Sequence, residues 1–346
     1  MTEPRDESQR GFTLVETTIV LTVLVFMISV MVNLIINTSS TQKYIEQMAR
    51  CTEVNQEIIN DLRSELLATV TLFESGVLGD GYFAALITDP TSPPLGTSSL
   101  ATLIANDTFQ KETVSGALAG NVLLFAGQAR TDEFTCASGN TYRVDIYRLY
   151  CYYLTKEDGG PKPGSPLGLN LTKFVSEPLA DGDQIDAMTD LVDRGEVLTH
   201  LVTGSVDDAG ETHAITKLAW RRGRDITILD TMREIDPFTG LLSSVPIGPR
   251  PAGAWKIMLE PTKSHRGLLH YRHFSIASNY GEDRLGVARF GKKSNTGDGF
   301  PHGFEVQISG PSSARQVLVH MSVVGTNRKG TKPHSDLRTT VFVQDL

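Results

Sequence analysis

Glycine and proline are both missing between residues 12 and 75, in a chain of 346 residues that holds 31 glycines and 16 prolines elsewhere. With no helix breaker over that length, one continuous helix, about 90 Å long at ~1.5 Å per residue, is the economical reading. Charge is nearly missing from its first part: between residues 12 and 36 Glu16 is the one charged side chain. The three cysteines, Cys51, Cys136 and Cys151, form no CxxC or paired Cys/His run, which excludes the common zinc frameworks. No GxSxG, HExxH, Walker or GxGxxG string occurs, so catalysis has no candidate constellation and no cofactor or metal is expected.

What is present begins with the apolar stretch. At ~1.5 Å per residue, residues 12–36 make roughly 37 Å of helix, enough for a ~30 Å hydrocarbon core. A secretory signal peptide is the alternative, but its apolar region runs about 7–15 residues, and the small residues Thr38, Ser39 and Ser40 follow a far longer run. A carboxylate such as Glu16 near the top of a membrane helix costs a few kcal/mol and so marks a partner or a function, unless it snorkels to the boundary. The segment before the apolar stretch, residues 1–11, carries Arg5 and Arg10, and Arg10 at the membrane edge keeps it cytoplasmic by the positive-inside tendency. The bulk of the chain then lies outside the inner membrane.

The string Arg10, Gly11, Phe12, Thr13, Leu14, Val15, Glu16 resembles the signature of type IV pilin-like proteins, in which a short leader ends in glycine, phenylalanine opens the mature chain and its fifth residue is glutamate. The resemblance implies cleavage after Gly11 by a prepilin peptidase, methylation of the new α-amine on Phe12, and pairing of that ammonium with Glu16 as subunits assemble. It implies four partners: the peptidase, other pilin or pseudopilin subunits, an inner-membrane assembly platform and the lipid bilayer. It also implies an α+β fold, with a long N-terminal helix packed on a mainly antiparallel β pilin-like domain bearing a large insertion. Residues 143–156 with 169–180 look like the central sheet of larger minor pilins and minor pseudopilins of type II secretion, and residues 314–324 with 337–343 like their terminal hairpin. The membrane half lacks the proline that many major pilins carry, and residues 181–301 match no part of the family.

Past the membrane, apolar residues recur at helical spacing (Tyr44, Met48, Cys51, Ile58, Leu62, Leu66, Val70), with a weak point expected at residues 37–41. The expected divisions are a leader (1–11), a membrane half (12–36), an amphipathic half (37–75) and a β-rich exterior domain (76–346). In that domain, turn signals such as Gly79-Asp80-Gly81 alternate with short apolar runs. Strands are expected at 121–125, 142–154, 197–202, 213–220, 225–229, 255–259, 268–276, 303–308, 315–324 and 339–343. A short helix is expected at 186–194 and an exposed loop at 157–166.

The remaining features read as structural. His265, His270 and His273 do not converge in a strand. The acidic run Asp181, Asp183, Asp186, Asp190 and Asp193 misses the EF-hand pattern and suits a loop and helix start. Trp220 and Trp255 suit a core, and Gly297-Asp298-Gly299-Phe300 a turn. An exported domain permits a disulfide between Cys136 and Cys151, whereas Cys51 suits a buried helix face. The net charge is −8; residues 262–346 hold twelve Lys/Arg and six Asp/Glu, but the basic residues are scattered and no nucleic-acid partner is expected. A minor pilin or pseudopilin subunit is therefore the expected function, its bulky head suiting a low-copy place in a short filament. The alternative is a single-pass, membrane-anchored envelope binding protein that does not polymerise.

Overall fold

The computed structural model describes residues 13–86, 94–96, 98–104, 109, 118–156, 169–176, 178–204, 215, 217–219, 232–235, 242–244, 255–257, 274–277, 303–325 and 333–343. The chain divides into two compact units, residues 1–49 and 50–346. Helix α1 (Leu14–Leu66) contributes to both.

Within the first unit the side chains of residues 14–36 are exposed, Phe26 at 70% and Ile35 at 67%, and α1 is long and apolar enough near the N-terminus to cross a membrane. The weak point expected at residues 37–41 is helical throughout. There Ser40 Oγ and Thr41 Oγ1 donate to the Asn37 carbonyl at 2.8 and 2.9 Å, so their hydroxyls are absorbed by the helix itself.

In the second unit, residues 50–66 of α1 turn one face inward. Cys51, Asn55, Ile58, Leu62 and Leu66 fall at helical spacing and are buried, while Glu53, Gln56, Glu57, Asn60 and Asp61 stay exposed. Ile58, Leu62 and Leu66 each contribute roughly 1.5–3 kcal/mol by leaving water. The helix stops nine residues earlier than the missing breakers suggest, because the β-branched Thr69, Val70 and Thr71 enter strand β1 (Thr69–Phe73). Helix α2 (Val77–Leu86) follows, where the Gly79-Asp80-Gly81 signal reads as a turn. Gly79 is there for space, since a Cβ on it would lie 2.0 Å from the Glu74 carbonyl oxygen, and Asp80 accepts from the Gly76 N–H at 3.1 Å.

Next come β2 (Leu103–Ile104), β3 (Leu123–Thr135), β4 (Thr141–Lys156), β5 (Leu169–Val175) and β6 (Leu179–Asp181). Helices α3 (Gly182–Asp186) and α4 (Leu191–Thr203) lie after them. The strand expected at 197–202 is thus the second half of α4: Asp190 caps it, its carboxylate accepting from Val192 and Asp193, and Val197, Leu198 and Leu201 bury one helical face. The helix expected at 186–194 divides between α3 and α4, and Asp181 caps α3 in the same manner. Short strands β7 (Lys217–Ala219), β8 (Met232–Ile235), β9 (Leu242–Ser244), β10 (Trp255–Ile257) and β11 (Phe274–Ile276) precede β12 (Phe304–Ser309), β13 (Arg315–Gly325) and β14 (His334–Val343). The strand expected at 225–229, the loop at 157–166, His265, His270, His273, Trp220 and the Gly297–Phe300 turn lie outside the described residues.

The described strands join in one fourteen-stranded sheet, antiparallel except for the β12/β2 and β6/β7 pairs. The β3/β4 hairpin runs in register from Leu123↔Tyr152 to Thr135↔Thr141, with a bulge between Gln128 and Arg130. β5 continues the sheet from β4, β11 bridges β5 to β13, and β13 carries β12 and β14 on its two edges. Side chains alternate across it. Leu123, Phe125, Tyr152, Leu154, Val319, Met321 and Val341 form one core with the inward face of α1. Leu124, Ala126, Leu149, Cys151, Tyr153 and Phe174 form a second. A third gathers Val144, Ile146, Ala180, Ile185, Val197 and Leu201 beside α3 and α4. The fold is α+β, with a long N-terminal helix and an antiparallel-rich sheet.

Candidate functional site

The residue that the sequence marks most strongly, Glu16, sits in the first turn of α1. Its Oε2 accepts from the Thr13 main-chain N–H at 3.0 Å and from Thr13 Oγ1 at 3.0 Å, while the Glu16 N–H donates to Thr13 Oγ1 at 3.3 Å. This is a reciprocal capping box, and Thr13-Leu14-Val15-Glu16 is its T-x-x-E signature. The carboxylate also lies at the positive end of the helix dipole. Thr17, Thr18 and Thr22 return their hydroxyls to the carbonyls four residues back, each at 2.8 Å, so they ask nothing of a partner. Gly11 and Phe12 lie outside the described residues.

The disulfide expected between Cys136 and Cys151 is not formed; both thiols are free and buried, as is Cys51. Register explains this. Cys151 stands opposite Leu124 in the hairpin, whereas Cys136 follows the end of β3 at the turn and bonds to Asn140, some 40 Å along the strand at ~3.3 Å per residue. Fourteen intervening residues look like a closable loop until they are known to form a tight hairpin.

Cys136 instead meets α4, where its Sγ and carboxylate oxygens of Asp193 and Glu196 lie within 4.8 Å of one another. Asp193 Oδ2 accepts from Asn140 Nδ2 and Tyr142 OH, both at 2.8 Å, and Glu196 Oε2 accepts from the Ala137 N–H at 2.8 Å. The hydrogen bond from Asn140, with others from Ser138 and Tyr142, holds Asp193 below the usual carboxylate range; burial, with Asp193 and Glu196 beside it, pushes the Cys136 thiol up. The carboxylates are engaged in fastening the hairpin turn to α4.

Three further polar arrangements escaped the sequence reading. His320 is fully buried between two carboxylates: Nδ1 lies 3.2 Å from Glu305 Oε2, and Nε2 bonds to Asp336. Burial pulls this imidazole down, but the carboxylates of Asp336 and Glu305 more than reverse the effect and raise it. Glu65 accepts from the Tyr152 hydroxyl and the Lys173 ammonium, joining the last turn of α1 to β4 and β5. A cleft of about 480 Å³ is lined by Leu67, Val70, Gln128, Arg130, Phe342 and Val343. Arg130 there bonds to Asp132 at 2.7 Å. The available signal for the His320 cluster was alternation, since His320 and Ser322 interleave with Val319, Met321 and Val323 on β13.

No family model, curated protein or solved structure matches the chain.

Proposed function

We propose that the chain is a minor pilin or pseudopilin subunit, cleaved after Gly11 by a prepilin peptidase and drawn from the inner membrane into a type IV pilus or type II secretion pseudopilus. The observation that carries this reading is the junction of Gly11, Phe12 and Glu16 with one unbroken helix. That helix is exposed and apolar over residues 17–36 and buries an inward stripe over residues 50–66. A plain anchor has no need of a carboxylate in its span, and an unpaired charge in lipid costs a few kcal/mol. Cleavage would place an ammonium four residues before Glu16, and the pair is cheaper to bury than either charge alone. The sheet with α1 on one face, closing on the β13/β14 hairpin, fits a pilin-like head; the segment between β6 and β12 would be its insertion.

The capping box favours a second reading, in which Glu16 only starts the helix of a single-pass envelope binding protein. Glu16→Gln separates the two, because glutamine also serves in a capping box but carries no charge. Filament incorporation should be lost in Glu16→Gln although the protein remains membrane-inserted and folded. Wild-type incorporation by this variant, or a functional protein whose N-terminal mass still includes residues 1–11, would exclude the filament role.

A further inference from the structure

Strand β14 lies at an edge of the sheet: among the described strands it pairs with β13 alone, over ten residue pairs without a register shift. The Gly325 N–H donates to the Pro333 carbonyl at 2.8 Å, which fixes the phase of this ladder. Antiparallel pairs alternate, so odd-numbered residues 335–343 exchange main-chain bonds with β13, while Pro333 only accepts. His334, Asp336, Arg338, Thr340 and Phe342 therefore direct their N–H and C=O groups to the outer edge. Exposed edges are usually blunted with charged side chains, lysine above all, with proline or with a bulge. β14 has no lysine, proline or bulge, and its two charges, Asp336 and Arg338, are of opposite sign.

We infer that this edge pairs with itself, so that two copies of the chain form a twofold dimer through antiparallel β14 strands centred on Leu337. In that register Asp336 faces Arg338 of the second copy on both sides of the axis, and His334 faces Thr340. All four are outward-directed positions, so hydrogen-bond phase and charge complementarity agree, and about eight main-chain bonds form. Sliding by one pairing position sets Asp336 against Asp336, or Arg338 against Arg338, which destabilises. The charge pattern thus selects one register among those that the backbone permits. Asp336 already bonds to His320 Nε2, but a carboxylate has about four acceptor sites and can take a guanidinium as well. Arg338 is exposed, and Leu337, partly buried beside the first core, meets its own copy at the axis. The contact is isologous, as closed dimers require. It is independent of the filament reading, because nothing in it involves residues 1–49.

The test uses the full chain in detergent micelles, with protein mass taken from light scattering after subtraction of the detergent. A dimer is expected for the wild type. Thr340→Pro removes an outward N–H that β13 does not use, and Arg338→Asp places like charges across the axis; each should weaken the dimer about tenfold or more. Leu337→Cys should oxidise to a disulfide between copies, whereas Phe342→Cys should not, and this readout decides the matter if Thr340→Pro unfolds. A wild-type monomer at all concentrations, or a dimer unchanged in Thr340→Pro and uncrosslinked in Leu337→Cys, would overturn the inference.

Discussion

Asn55 of α1 donates from Nδ2 to the Ser335 main-chain carbonyl of β14 at 3.0 Å and to the Met321 carbonyl of β13 at 3.2 Å. One amide in an otherwise apolar helix face thereby ties the first long element of the head to the last hairpin, 280 residues on in sequence. Asn55 is fully buried, so removing it takes a second donor from two dehydrated carbonyls that keep their ladder bonds. Asn55→Leu should destabilise the head by about 0.5–1.5 kcal/mol. The check is the denaturation midpoint of the full chain in detergent, with amide hydrogen exchange at Ser335 and Leu337 rising first.

How far the sequence disclosed all this follows from which physical signals were local. α1 was legible because glycine and proline were absent, and β4 because Tyr142, Val144 and Ile146 alternate with Arg143 and Asp145. β1 was missed because Val70 also fits the helical spacing of the residues before it, and only pairing with β3 turns it into a strand. The second half of α4 was mistaken for a strand because Val197 and Val202 carry β propensity, which the Asp190 cap and the third core override. At the candidate site Glu16 stood out as a charge among apolar residues, but its bond to Thr13 is a short-range motif that the membrane argument passed over. The Glu305, His320 and Asp336 cluster needed the register of three strands, which no single segment encodes.

That cluster predicts a pH dependence. His320 is raised above its ordinary value of 6.5 in the folded chain, so the folded state holds its proton more tightly than the unfolded state does. The stabilisation is complete below about pH 6.5 and is lost as pH rises through the folded-state value. Unfolding midpoints should therefore fall on the alkaline side of neutrality, and His320→Gln should be less stable than wild type at pH 6 with a flatter profile above it. Equal pH profiles for the two proteins would contradict the arrangement.

Three glycines give opposite expectations. A Cβ at Gly120 would lie 2.3 Å from the Ala101 nitrogen, and one at Gly303 would lie 2.7 Å from the Ala277 nitrogen, main-chain atoms that cannot step aside. Gly120→Ala and Gly303→Ala should each destabilise by roughly 1–3 kcal/mol. Gly195 lies inside α4 with nothing within 4 Å of such a Cβ. Gly195→Ala should stabilise by about 0.5–1 kcal/mol, through helix propensity. Thermal unfolding of the three variants side by side tests the signs.

The thiols give a chemical check. Cys51 is buried, its Sγ donates to the Pro333 carbonyl at 3.6 Å, and burial pushes it up to about 12; burial raises Cys136 and Cys151 as well. Thiolate is the reactive form, so all three should resist alkylation in the folded protein at pH 8. After unfolding without reductant, all three should be modified. Two of them would stay unmodified if an exported chain had closed a disulfide, and the hairpin register places Cys136 and Cys151 too far apart for that pair. Alkylation of Cys51 only, under denaturant and without reductant, would contradict the hairpin itself, since bringing the Cys136 and Cys151 sulfurs together requires the strands to shift by about twelve positions.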